Sequence, residues 1–125
     1  MVGDSRREFT RLPIKMQATL RASHDELFCP QTGDISLRGM YAFSTDPFAI
    51  GTDVSITLRF DQSEEGLSIR LSGRVVHVDA GGMGIEFTAM SVGALEQMRM
   101  LLLYNAADPQ QIEGEFNSHI GLKRR

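Results

Sequence analysis

Apolar and polar side chains alternate without a break over residues 14–23, with Ile14, Met16, Ala18, Leu20 and Ala22 on one parity and Lys15, Gln17, Thr19, Arg21 and Ser23 on the other. Successive side chains of an extended chain point to opposite faces, so this run specifies a strand with one buried face. The same period returns in Val54, Ile56, Leu58 and Phe60 against Ser55, Thr57 and Arg59, and again in Met83, Ile85 and Phe87. Residues 27–29 and 40–43 read as shorter strands. Over residues 67–78 the parity changes, because Leu67, Ile69, Leu71 and Val75 share one phase and Val76 and Val78 the other. A bulge near residues 73–76 follows, bending that strand.

Turn chemistry separates these runs: His24-Asp25-Glu26, the breakers at 30–33, Asp46-Pro47 before Gly51, an acidic hairpin loop over 61–66, and the Gly-rich turn at 79–82. Residues 34–39 read as a loop or a strand edge. The count is about six short antiparallel strands, and many short strands with Gly-rich turns point to a small six-stranded antiparallel β-barrel.

After the strands the period changes. Val92, Leu95, Met98 and Leu102 recur at three- and four-residue spacing behind Ser91, an N-cap residue, which predicts a C-terminal α-helix of about four turns. Its last turns, Met100 to Tyr104, are apolar almost all round. Two readings account for that: a homodimer contact through this helix, or a tail folding back over it, since Asp108-Pro109 looks like a helix start and Ile112, Phe116 and Ile120 are spaced by four. The chain then divides into an arm over 1–13, a barrel with its helix over 14–105, and a short extra tail over 106–125.

The length of 125 residues suits one domain, and 42% apolar with 23% charged residues is ordinary globular usage. No apolar stretch approaches the roughly 18 residues of a membrane span. The single Cys29 excludes an internal disulfide and fits a reducing compartment, so a cytoplasmic protein is expected. Net charge is −3, against broad nucleic-acid binding, but the charge is uneven. Residues 1–21 hold five basic against two acidic residues, and residues 22–125 hold eight against fourteen. A cationic arm precedes an acidic body, and eleven of the thirteen basic residues are Arg, whose planar fork pairs bidentately with phosphates and guanine edges.

Two segments carry candidate binding chemistry. In Arg6-Arg7-Glu8-Phe9-Thr10-Arg11, Arg7 and Arg11 are four apart on an arm that enters the first strand. Alone, such a pair is common and usually forms a solvated face. In Asp34-Ile35-Ser36-Leu37-Arg38-Gly39, Asp34 can accept from a base N–H, Ser36 can donate to a phosphate oxygen, and Gly39 permits close backbone approach. The competing reading is an ordinary turn in which Asp34 and Ser36 bond local backbone.

Taken together, R-x-x-x-R at Arg7 and Arg11 followed by D-x-S-x-x-G at Asp34, Ser36 and Gly39 resembles the PilZ family, bacterial receptors for cyclic di-GMP. Residues 82–87 look like the family's last strand, and the resemblance covers about residues 6–105. It implies a barrel whose arm closes over a ligand on the outer wall. Arg7 and Arg11 would meet guanine and phosphate, while Asp34 and Ser36 would take base and polar ligand atoms beside Gly39. Arg6 would favour an intercalated messenger pair. Thr10 departs from the Pro of many relatives, and residues 106–125 lie beyond the usual domain.

Other chemistry finds no machinery. His24, His77 and His119 lack metal-ligand spacing, so no metal and no cofactor is expected. A calcium loop opening at Asp61 fails because Ser72 stands where a bidentate Glu is needed. Gly82 and Gly84 give only G-x-G before a strand, and no Ser, His and carboxylate pattern identifies a nucleophile with its base. The expectation is a receptor or adaptor, not an enzyme, that changes arm conformation on binding cyclic di-GMP and relays the signal to an unidentified protein partner. The alternative is a PilZ-like interaction scaffold that binds no nucleotide.

Overall fold

The structure is a computed structural model and describes residues 11–59, 68–105 and 108–123, with the side chains at 116 and 118–123 not described. Seven strands, β1 (Gln17–Ala22), β2 (Asp25–Cys29), β3 (Thr32–Ile35), β4 (Gly39–Phe43), β5 (Asp53–Arg59), β6 (Ser68–Asp79) and β7 (Gly82–Ala89), precede two helices, α1 (Val92–Asn105) and α2 (Pro109–Lys123). All neighbours in the sheet are antiparallel, in the order β2-β1-β5-β6-β7-β4-β3.

Period-two patterning puts one face of each long strand into a common core. Ala18 and Leu20 of β1, Ile56 and Leu58 of β5, Ile69 and Val75 of β6 and Met83 of β7 are all 1% exposed or less. The register of β5 with β6 runs from Asp53↔Arg74 to Arg59↔Ser68 without a slip. Between β6 and β7 it shifts at Ser72/Gly73 and again at Val75/His77, the bend that the parity change announces. Gly73 lies in that bend because a Cβ there would stand 2.7 Å from Ile85 Cγ2 and 2.9 Å from the Glu86 carbonyl oxygen. The loop expected over 61–66 lies outside the described residues.

Two features of the expected six-stranded barrel need correction: the sheet has a seventh strand, and it is open. The added strand is β3, which occupies the segment where Pro30 and Gly33 read as breakers. Its stability is tertiary. The Thr32 hydroxyl, 1% exposed, donates to the Ile14 carbonyl at 2.9 Å and accepts from the Met16 amide at 3.2 Å, while the Thr32 amide donates to the Met16 carbonyl at 2.9 Å. Gly33 lets Tyr41 sit close, since a Cβ there would meet the Tyr41 side chain at 3.3 Å. The chain ahead of β1 therefore leans on β3, and a lone bridge between Leu12 and Ile35 joins them where a closed barrel would have a ladder.

The helix start falls where Ser91 places it, with the Ser91 hydroxyl accepting from the Ala94 amide at 3.0 Å. Ala94, Met98, Leu101 and Leu102 turn inward, and Gln97 donates to the Ser68 carbonyl at 3.4 Å. The tail folds back over the apolar end of α1. Ile112 of α2 is 1% exposed, and Glu113 accepts from Arg99 Nη1 at 2.6 Å while Arg99 also pairs with Glu96 at 2.7 Å. Asp108 begins α2, its carboxylate accepting from the Gln111 amide at 3.4 Å. Met100 and Tyr104 remain exposed. Among the described residues no helix is long and apolar enough to cross a membrane.

Candidate functional site

The turn between β3 and β4 is built by Ser36. Its hydroxyl accepts from the amides of Arg38 at 3.0 Å and Gly39 at 3.3 Å, and donates to the Gly39 carbonyl at 3.4 Å. The Ser36 amide meets the same carbonyl at 2.9 Å. A side-chain hydroxyl here replaces backbone partners that a tight reversal leaves orphaned, so Ser36 is buried while its neighbours Asp34 and Arg38 are exposed. The reading of this segment as a locally bonded turn holds for Ser36.

Gly39 is required by contact. It pairs with Glu86 of β7, and a Cβ at Gly39 would lie 2.3 Å from the Ile85 carbonyl oxygen, a distance that no rotamer relieves. The Arg38 carbonyl accepts from the Phe87 amide at 2.8 Å, seating the turn on β7. Arg38 reaches the Glu86 carboxylate at 3.5 Å, an exposed and hence weak pair.

The arm arrives at this turn through Leu12. The Leu12 amide donates to the Ile35 carbonyl and the Ile35 amide to the Leu12 carbonyl, both at 2.8 Å. Leu12 and the fully buried Ile35 point inward. By strand alternation the bridge sets Arg11 beside the Ser36 end of β3, on the outer side that Asp34 also faces. Arg11 and Asp34 are exposed, and neither has a hydrogen-bond or ion-pair partner among the described residues. The structure thus brings Arg11, Asp34, Ser36 and Gly39 to one corner; Arg6 and Arg7 lie outside the described residues.

Beside that corner, on the outer face of β4, β7 and β6, lies a polar cluster that sequence reasoning misses. The Tyr41 phenol donates to Asp79 Oδ1 at 2.5 Å, His77 Nε2 lies 3.1 Å from Asp79 Oδ2, and the amides of Gly81 and Gly82 donate to Asp79 Oδ1 at 2.9 and 3.1 Å. The Tyr41 phenol, then His77 and the Gly81 amide, hold the Asp79 carboxyl down to about 2. The same phenol–carboxylate bond, with some burial and the nearby negative charge, pushes Tyr41 up to about 12. Tyr41 and Asp79 are 38 residues apart, so only the strand order could have revealed the pair. Cys29 is buried, and burial raises its thiol, which removes it as a reactive group. Among the described residues no three His, Cys, Asp or Glu side chains are grouped to hold a metal ion.

The model of the PilZ domain family matches residues 5–104. The chain belongs to the PilZ domain family. Its fold is similar to that of the Bacillus subtilis inhibitor of motility MotI/DgrA, with a TM-score of 0.62 at 17% identity over 74% of this chain and 47% of that one. This chain therefore spans about half the length of that protein. It is also similar to the PilZ domain of CeSA from a cellulose-synthesizing bacterium, with a TM-score of 0.61 at 16% identity over 76% of this chain and 96% of that domain. No curated protein matches the chain significantly. PilZ domains are in general cyclic di-GMP receptor or adaptor domains rather than enzymes.

Proposed function

We propose that this PilZ protein is a cyclic di-GMP receptor whose arm, residues 1–13, closes over the β3–β4 turn and passes the signal to a protein partner. The observation that supports the reading is the Leu12–Ile35 bridge, which anchors the end of the arm at the turn that carries the second motif. Arg7 and Arg11 supply guanidinium forks for guanine O6/N7 edges and phosphate oxygens, and Arg6 adds a third. Asp34, an exposed carboxylate, accepts from guanine N–H groups. Ser36 and Gly39 belong to the site as the residues that shape its floor, since the Ser36 hydroxyl is already committed to backbone. A ligand that bridges arm and turn would turn occupancy into a change of arm position, which is what a downstream protein can read.

Isothermal titration with cyclic di-GMP tests this. Arg7→Ala and Arg11→Ala each weaken binding by about tenfold or more, the size of one charge-assisted contact. Asp34→Ala weakens it less, and the wild-type stoichiometry distinguishes one messenger from a pair. Equal affinity in wild type and both arginine variants removes those residues from the site, and absence of binding by wild type overturns the reading and leaves a PilZ fold that serves as a scaffold.

A further inference from the structure

The outer face of β1, β5 and β6 is on the other side of β6 in the strand order from the β7–β4–β3 corner. It carries an open groove of about 710 Å³, walled at one end by residues 89–91 at the start of α1. Its floor is two cross-strand rows: Thr19, Thr57 and Arg70 in one, Arg21, Ser55 and Ser72 in the other. Four hydroxyls and two guanidiniums therefore share a surface on a chain whose body is otherwise acidic. No carboxylate lies among its described lining residues. Among the described residues Arg70 has no ion-pair partner and Arg21 holds only Glu26, at 3.4 Å, with both side chains more than half exposed.

Arg21 and Arg70 stand on opposite sides of β5 and one row apart. Two strand spacings and two residues of rise separate their Cα atoms by on the order of 12 Å, so both long side chains can converge over Ser55 and Thr57. Guanidinium forks converging from two sides above hydroxyl donors suit a compact group with several acceptor oxygens. An extended acidic peptide is served less well, because β5 lies mid-sheet and its backbone groups are already paired on both sides. We propose that the groove across β1, β5 and β6 is a second anion site, which takes a compact phosphate-bearing small molecule independently of the arm.

Inorganic pyrophosphate is the probe, titrated into the full chain at constant ionic strength while amide spectra are recorded. Saturable shifts at residues 55, 57, 70 and 72 are expected. Arg70→Gln, and separately Arg21→Gln, weaken them by about tenfold with the rest of the spectrum unchanged, whereas Arg11→Ala leaves them as in wild type. Cyclic di-GMP titrated into Arg70→Gln retains its wild-type affinity, so failure at one site is read apart from failure at the other. The proposal is overturned if pyrophosphate produces only the small, unsaturating drift that sodium chloride produces. It is equally overturned if both groove variants bind pyrophosphate as wild type does, or if a hexaglutamate peptide shifts these amides as strongly as pyrophosphate.

Discussion

The two halves of the sheet are built on different principles. Across β1, β5 and β6 the ladders run in step, seven consecutive pairs joining β5 to β6, and side-chain volume fills the interior. Across β6, β7, β4 and β3 the register slips, and backbones approach so closely that glycine is demanded at Gly39 and Gly73. In the first half stability is distributed over apolar area and the outer face is free to vary. In the second half single atoms decide the path of the chain, and the candidate binding corner lies there. A regular half that carries the load lets an irregular half hold a specific shape.

The largest expected effect attacks the regular half. Ile56, 1% exposed at the centre of β5, leaves a cavity when cut to alanine, and Ile56→Ala lowers unfolding free energy by about 3 kcal/mol in urea melts. Adding one carbon to the irregular half has a comparable cost: Gly39→Ala forces a Cβ onto the Ile85 carbonyl and is expected to cost about 2 kcal/mol or more. If Gly39→Ala melts like wild type, the contrast between the halves is broken.

The Tyr41–Asp79 bond sharpens it through pH. Asp79 is depressed to about 2, so its contribution is present above the ordinary carboxylate value near 4 and is lost as pH falls through about 2. Tyr41 is raised to about 12, so the same bond is present below pH 10 and is lost as pH rises through about 12. The stability difference between wild type and Tyr41→Phe should be flat between those limits and shrink toward both, and the Asp79 carboxyl of the variant should titrate higher by NMR. A difference that persists unchanged at pH 2 rules this out. The smallest effect belongs to the β1–β2 hairpin, where Ser23 holds φ at 51°. Ser23→Gly relieves that conformation and raises stability by about 0.5–1 kcal/mol; a lower melting temperature would show that the Ser23 side chain contributes something else.

What was legible in the sequence is what local information encodes. Alternation at 14–22 and 54–58, the parity change around Val76 and the cap at Ser91 each follow from residues adjacent in the chain. Strand β3 was not, because what holds it is the Thr32 hydroxyl against Ile14 and Met16, partners 18 and 16 residues away that no short window contains. The candidate site divides in the same way. The spacing of Asp34, Ser36 and Gly39 marks a turn with a family resemblance, and the role of Ser36 as turn builder was one of its two plain readings. That Arg38 faces Glu86, or that Tyr41, His77 and Asp79 meet, depends on strand order and register, which composition and periodicity do not encode.

Pro13 gives the arm one further property. Its ring disfavours helical geometry at the residue before it, so covalent chemistry favours the extended Leu12 that its pairing with Ile35 requires. The chain consequently departs from the sheet on a set bearing. Since an extended backbone presents its side groups to alternate sides, inserting a single residue between Arg11 and Leu12 would turn the guanidinium of Arg11 to the reverse side while leaving the fold beneath untouched.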